Sequence, residues 1–158
     1  YKTAVLLAAS LKIGAVIGGA GEDESDLLYE FGRNIGIAFQ LQDDLLDVFA
    51  DPAVFGKVTG NDIVNNKKTI LLIEALNETS GIMHESLLKW LKAKNFERKK
   101  KIDAVRAIYT SLNLERSVNA RISHYHELAL NCLDNLRVDA AKKSELAAFS
   151  AYLMHRIK

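Results

Sequence analysis

An all-α fold is predicted for this chain by two observations. Apolar residues recur at helical spacing almost throughout, and a single proline, Pro52, interrupts the whole sequence. The first helix reads as residues 2–17. Gly18-Gly19-Ala20-Gly21 closes it, because glycine adopts the left-handed conformation of a helix stop without strain. Asp23 or Ser25 is the expected cap of the next helix, and Asp23, Glu24 and Asp26 suit its positive end. That helix runs to about Ala50 and stops at Asp51-Pro52, since the residue before proline disfavours helix. Within it Gly32 and Gly36 lie one turn apart, the spacing of close helix packing. Residues 51–60 form a loop containing Gly56 and Gly60. A third helix is expected from Asn61 or Asp62 to about Leu76, and Gly81 breaks the chain after it. Shorter helices follow at about 84–93 and 97–111, and longer ones at about 115–136 and 141–156. No repeat, low-complexity tract or long linker is present.

With 158 residues, the chain is one domain's worth or part of a larger domain. Hydrophobic residues make up 49%, ample for a core. A formal charge of +1 gives no bulk argument for nucleic acid or an anionic membrane. The one basic cluster, Arg98-Lys99-Lys100-Lys101, lacks interleaved aromatics and reads as an exposed helix start or loop. A single cysteine, Cys132, excludes an intramolecular disulfide and a cysteine metal cluster, and fits a reducing compartment. The longest apolar stretch, 4–20, is interrupted by Ser10 and Lys12, so no membrane span is expected. The start at Tyr1, without an initiator Met or secretory signal, reads as that of a fragment or processed chain.

The chemistry concentrates in Asp43-Asp44-Leu45-Leu46-Asp47. On a helix, Gln40, Asp43, Asp44 and Asp47 form one polar stripe. Ile35, Ile37, Ala38, Phe39, Leu41, Leu45, Leu46, Val48 and Phe49 make the rest of the segment apolar. Three like charges within two turns repel, and nothing basic sits at helical spacing to relieve them. An acidic run is ordinarily a solvated face, but such a face usually mixes Lys, Glu and Gln. Here the lysines lie downstream instead, in Gly56-Lys57 and in Asp62-Ile63-Val64-Asn65-Asn66-Lys67-Lys68-Thr69. Hard divalent ions, Mg²⁺ above all, take carboxylate oxygens and bring phosphate with them. The stripe therefore has the composition of a metal–phosphate site.

Other residues offer less. Neither His84-Glu85 nor His126-Glu127 is completed to His-Glu-x-x-His, and no serine or cysteine has a nucleophile context. Gly56-Lys57 lacks a glycine at position 51 and is not a phosphate-binding P-loop. Trp90 reads as helix packing. Lys2-Thr3 opens an apolar helix, where lysine is ordinarily a solvated end. If that helix packs beside the acidic one, both residues face the same cavity.

Lys2-Thr3-Ala4, Phe39-Gln40-Leu41-Gln42-Asp43-Asp44-Leu45-Leu46-Asp47, Gly56-Lys57, Gly60-Asn61-Asp62 and Lys67-Lys68-Thr69 together resemble the second half of a trans-isoprenyl diphosphate synthase. Farnesyl and geranylgeranyl diphosphate synthases belong to that family. Phe-Gln-x-Gln-Asp-Asp-x-x-Asp is similar to its second aspartate-rich motif. The resemblance covers nearly the whole chain but weakens beyond about Leu76. The family's first aspartate-rich motif and its upstream basic residues have no counterpart, Asp43-Asp44 being the only Asp-Asp pair. Residues 1–158 are accordingly expected to be the C-terminal part of one synthase domain, inactive by itself.

The resemblance implies condensation of an allylic diphosphate with isopentenyl diphosphate. The allylic C–O bond ionises, the cation alkylates the alkene, and a proton leaves. It implies that Asp43, with Asp44 and Asp47, holds Mg²⁺ directly or through water, and that Lys2, Lys57 and Lys67 contact diphosphate. Asp62 would orient metal-bound water or a lysine. Thr3 and Gln40 would stabilise the allylic cation with neutral dipoles, and Phe39 would line the isopentenyl pocket. A cytoplasmic homodimer is implied as well, with no nucleic acid and no transmembrane segment. Two rivals are a terpene cyclase and a non-catalytic helical partner subunit. A cyclase usually carries Asn/Asp-x-x-Ser/Thr-x-x-x-Glu in place of Asp-Asp-x-x-Asp, and a partner subunit has no need of the intact aspartates.

Overall fold

A computed structural model describes residues 2–51 and 59–155; the side chains of Lys2 and His155 fall outside the description. The described residues form helices without strands, in the order α1 (Lys2–Ile17), α2 (Glu22–Phe49), α3 (Asn61–Val64), α4 (Ile70–Glu78), α5 (Gly81–Lys92), α6 (Arg98–Ser111), α7 (Leu114–Asn135) and α8 (Ala140–His155). The all-α expectation holds. The chain divides into two compact units, one of Tyr1–Gln42 with Ala120–Lys158 and one of Asp43–Asn119.

In the first unit, Phe31, Ile35, Ala129, Leu133 and Leu136 form a buried cluster. Leu7, Leu11, Leu27, Leu28, Leu146 and Leu153 pack around it. The close approach of α1 to α2 explains the two helical glycines. A Cβ on Gly36 would stand 2.5 Å from the Ala4 Cα, and one on Gly32 would stand 2.8 Å from the Ala8 Cα. Alanine is the better helix former by roughly 1 kcal/mol, yet here it would push backbone against backbone. Gly36→Ala is expected to destabilise the protein by about 1–3 kcal/mol, the usual cost of overpacking. Urea unfolding would read it, and a gain in stability would show that α1 moves aside cheaply.

Neither Asp23 nor Ser25 caps α2. The helix starts earlier, at Glu22 directly after Gly21, with both residues inside its first turn. The Ser25 hydroxyl donates back to Glu22 O at 2.9 Å.

In the second unit α6 is central and touches α3, α4 and α5. Ile102, Val105, Ile108 and Tyr109 form its buried side. The expected single helix from Asn61 to Leu76 is broken. Asn66 takes a left-handed conformation with φ 50°, which asparagine tolerates better than most side chains. Asn65 to Thr69 leave the helix, and Thr69 caps α4 by accepting from Leu72 N–H at 3.4 Å. Gly81 begins α5 rather than merely separating helices, at φ 54°.

Candidate functional site

The final turns of α2 carry Asp43, Asp44 and Asp47 on the second unit. Asp43 is exposed, Asp44 is buried and Asp47 is half-buried. The break between α3 and α4 aims Lys67 at these acids. Its ammonium donates to Asp62 Oδ2 at 2.8 Å and to Asp44 Oδ1 at 3.1 Å. The Asp44 and Asp62 side chains are only 9% and 16% exposed, so the lysine partly neutralises two acids that water solvates poorly. Partial burial opposes the charge on Lys67, but its hydrogen bonds to Asp62 and Asp44 outweigh that and hold its pKa well above an ordinary lysine. The repulsion expected along the stripe is thus relieved from a loop and not from the helix itself.

Asp47 serves a different contact. Its Oδ2 accepts the Asp62 N–H at 2.9 Å, tying α3 to the end of α2. Burial raises its carboxyl above the usual range, against the lowering influence of the Asp62 and Asn61 N–H groups. Gly60 supports the same junction, its N–H donating to Asp47 O. With φ 81° and a virtual Cβ 2.6 Å from Ile102 Cδ1, position 60 leaves no room for a side chain.

Among the described residues no group of three or more His, Cys, Asp or Glu is gathered so that it could hold a metal by itself. Mg²⁺ does not require such a cage, since it is commonly held by one or two carboxylates together with phosphate and water. Exposed Asp43 beside Asp44 and Asp47 fits that second kind of donor set.

On the first unit, the Thr3 hydroxyl donates to Gln40 Oε1 at 3.1 Å, joining α1 to α2. Phe39 is half-buried. Lys57 lies outside the described residues. Lys2 begins α1, but its side chain is outside them too.

Sequence reasoning missed the start of α6. The run 98–101 is not a uniformly solvated basic end. Lys99 and Lys100 are exposed and pair with Asp103 and Glu97 on their own helix or at its start. Arg98 instead donates to Thr59 O at 3.3 Å and Asn61 Oδ1 at 2.9 Å. Lys101 is wholly buried, with its ammonium donating to Asn66 Oδ1 at 2.6 Å and Val64 O at 3.2 Å. The signal was available. Lys101 falls four residues ahead of Val105 and seven ahead of Ile108, on the apolar side of the helix.

The family model described as polyprenyl synthetase matches residues 1–109. A geranylgeranyl diphosphate synthase of Methanosarcina mazei is 36% identical over 98% of this chain and 45% of its own length. A crystal structure of a geranylgeranyl pyrophosphate synthase is similar with a TM-score of 0.88 and 34% identity, over 99% of this chain and 49% of that one. Another, a Corynebacterium glutamicum geranylgeranyl pyrophosphate synthase complexed with calcium and isoprenyl diphosphate, has a TM-score of 0.81 and 25% identity. That likeness covers 99% of this chain and 48% of the other. The chain therefore spans about half the length of these proteins.

Proposed function

The chain belongs to the polyprenyl synthetase family, and from that premise we propose that the protein carrying it is a trans-prenyltransferase joining an allylic diphosphate to isopentenyl diphosphate. The observation that carries the reading is the Lys67 ammonium held between Asp44 and Asp62, with exposed Asp43 on the same helix end. A cation and hard oxygen donors on one face suit a diphosphate that arrives with its metal. The calcium and isoprenyl diphosphate of the Corynebacterium relative agree with such a ligand.

Asp43, Asp44 and Asp47 would hold Mg²⁺, which when bound supplies charge stabilisation for the departing diphosphate. Lys67 has three N–H donors, and its two acid contacts leave one for a phosphate oxygen. Lys2 and Lys57 would meet the same group. As the allylic C–O bond breaks, its electron pair leaves on the diphosphate and positive charge spreads over the allyl unit. Thr3 and Gln40 would meet that charge with dipoles, in place of a full negative charge that could collapse onto the cation. Phe39 would line the isopentenyl pocket. The alkene of isopentenyl diphosphate then attacks the cation, and a proton lost from the new cation restores a double bond. The family resemblance alone supports a homodimer and a cytoplasmic setting; no described helix is long and apolar enough to cross a membrane.

The test is condensation of radiolabelled isopentenyl diphosphate with allylic diphosphates by the full-length protein. Extractable prenyl product that requires Mg²⁺ is the expected result, and no product with any allylic chain would overturn the reading. In the same assay, Gln40→Ala is expected to slow turnover about tenfold, while the allylic KM stays nearly constant. An unchanged kcat would remove Gln40 from the chemistry.

A further inference from the structure

Lys101 is an unusual group to find wholly buried. A lysine rarely gives up hydration unless it is paired, yet its partners here are an amide oxygen, a carbonyl and an aromatic face. The ammonium lies 4.4 Å from the centroid of the Phe96 ring, besides its bonds to Asn66 Oδ1 and Val64 O. Burial pushes its pKa down. Both oxygens belong to the short stretch that leaves α3 and delivers Lys67.

Asn66 is the hinge of that stretch. It holds the left-handed φ of 50°, and its Nδ2 donates to Leu91 O at 2.9 Å. Its side-chain amide is therefore gripped on both ends, by the end of α5 and by α6. The next residue is Lys67, whose own N–H donates to Asp62 O at 2.9 Å. Two further contacts from α6 secure the same segment upstream, Arg98 on Thr59 and Asn61 and Ile102 against Gly60. The first turn of α6 thus holds the chain from 59 to 66 at several points, and within that turn Lys101 is the residue that bonds Asn66, next to Lys67.

We propose that Lys101 is a positioning residue for diphosphate binding: by bonding Asn66 Oδ1 and Val64 O, it sets the left-handed turn that places the Lys67 ammonium between Asp44 and Asp62. This rests on the proposed diphosphate function, since Lys67 is the group it positions. Lys101 itself is buried against the turn and would act through it. A purely structural lysine would matter for folding but not for how tightly a folded protein takes diphosphate.

The experiment uses Lys101→Met, with Lys99→Met as a control that removes the same charge from an exposed position paired only within α6. Amide hydrogen exchange over residues 60–69 and calorimetric binding of inorganic diphosphate with Mg²⁺ are measured in the full-length protein. Lys101→Met is expected to accelerate exchange in that segment and to weaken binding by about tenfold or more, the usual cost of removing a group that orients a ligand-binding residue. Lys99→Met should change neither, and Lys101→Arg should recover part of the affinity. Equal affinity in folded Lys101→Met overturns the proposal, whatever the exchange shows. If Lys101→Met does not fold, Asn66→Ala removes the acceptor from the other side and is expected to weaken binding likewise; unchanged affinity there also overturns it. Wild-type protein that binds no diphosphate is a different result, and it sinks the proposed function along with this role for Lys101.

Discussion

Replacing Asp43 by alanine in the full-length protein is expected to lower kcat by about two orders of magnitude or more, because metal stabilisation of a leaving diphosphate is worth several kcal/mol in the transition state. Asp43 is the member of the acidic stripe that stands exposed at the end of α2. On the proposed reading its carboxylate therefore meets a metal–diphosphate complex directly from solvent. The fold has little at stake, since an exposed aspartate on a helix carries little packing. Asp47→Ala should cost less in kcat, because one Asp47 oxygen is engaged with the Asp62 N–H. Its loss loosens the α3 junction and should appear in KM and in thermal stability. Steady-state kinetics with circular dichroism as the folding control would separate the two. Full turnover in a folded Asp43→Ala protein would reduce the stripe to a solvated helix face.

The second large effect is expected at Lys67. Lys67→Met removes the ammonium that stands between Asp44 and Asp62, and Asp44 is nearly buried. Asp44 and Asp62 then lose the ammonium that stands between them, and on the proposed reading the site loses a donor to phosphate. A fall in kcat/KM of about two to three orders of magnitude is expected, the range seen when one charge-stabilising donor is removed. Arginine at 67 keeps the charge but spreads it over a planar fork that does not match the lysine's placement, so Lys67→Arg should recover only part of the rate. A folded Lys67→Met protein with wild-type kcat/KM would show that the lysine serves the loop and not the reaction.

Helix α1 was legible in the sequence from Lys2 to Ile17 because glycines follow a largely apolar stretch, and Gly19 does take φ 82° there. The body of α2 was legible for the same reason, and the close packing at Gly32 and Gly36 followed from their spacing. The break after Val64 was not. Its cause is a pair of asparagines whose cost in a helix is small, so periodicity outweighed them, whereas in the structure Asn66 is fixed by contacts from Leu91 and Lys101. Such contacts come from residues far along the chain and leave no local mark. Asp44, Asp62 and Lys67 could be singled out by residue type, and the structure brings them into one network; what residue type could not convey is that Asp47 is largely occupied in holding α3. Lys101 was hidden by its neighbours, since a run of four basic residues looks like one solvated patch until it is wound onto a helix.

The break at Asn66 has a consequence for how the site responds to single ions. It brings one ammonium against two carboxylates, Asp44 and Asp62, beside the helix end that also carries Asp43 and Asp47. A lone divalent ion finds no finished cage among the described residues. On the proposed reading the site therefore takes its cation together with the diphosphate, whose oxygens complete the coordination that the protein leaves open. Leaving-group departure is then tied to the arrival of the metal, so an allylic diphosphate that enters without it stays intact instead of ionising into water.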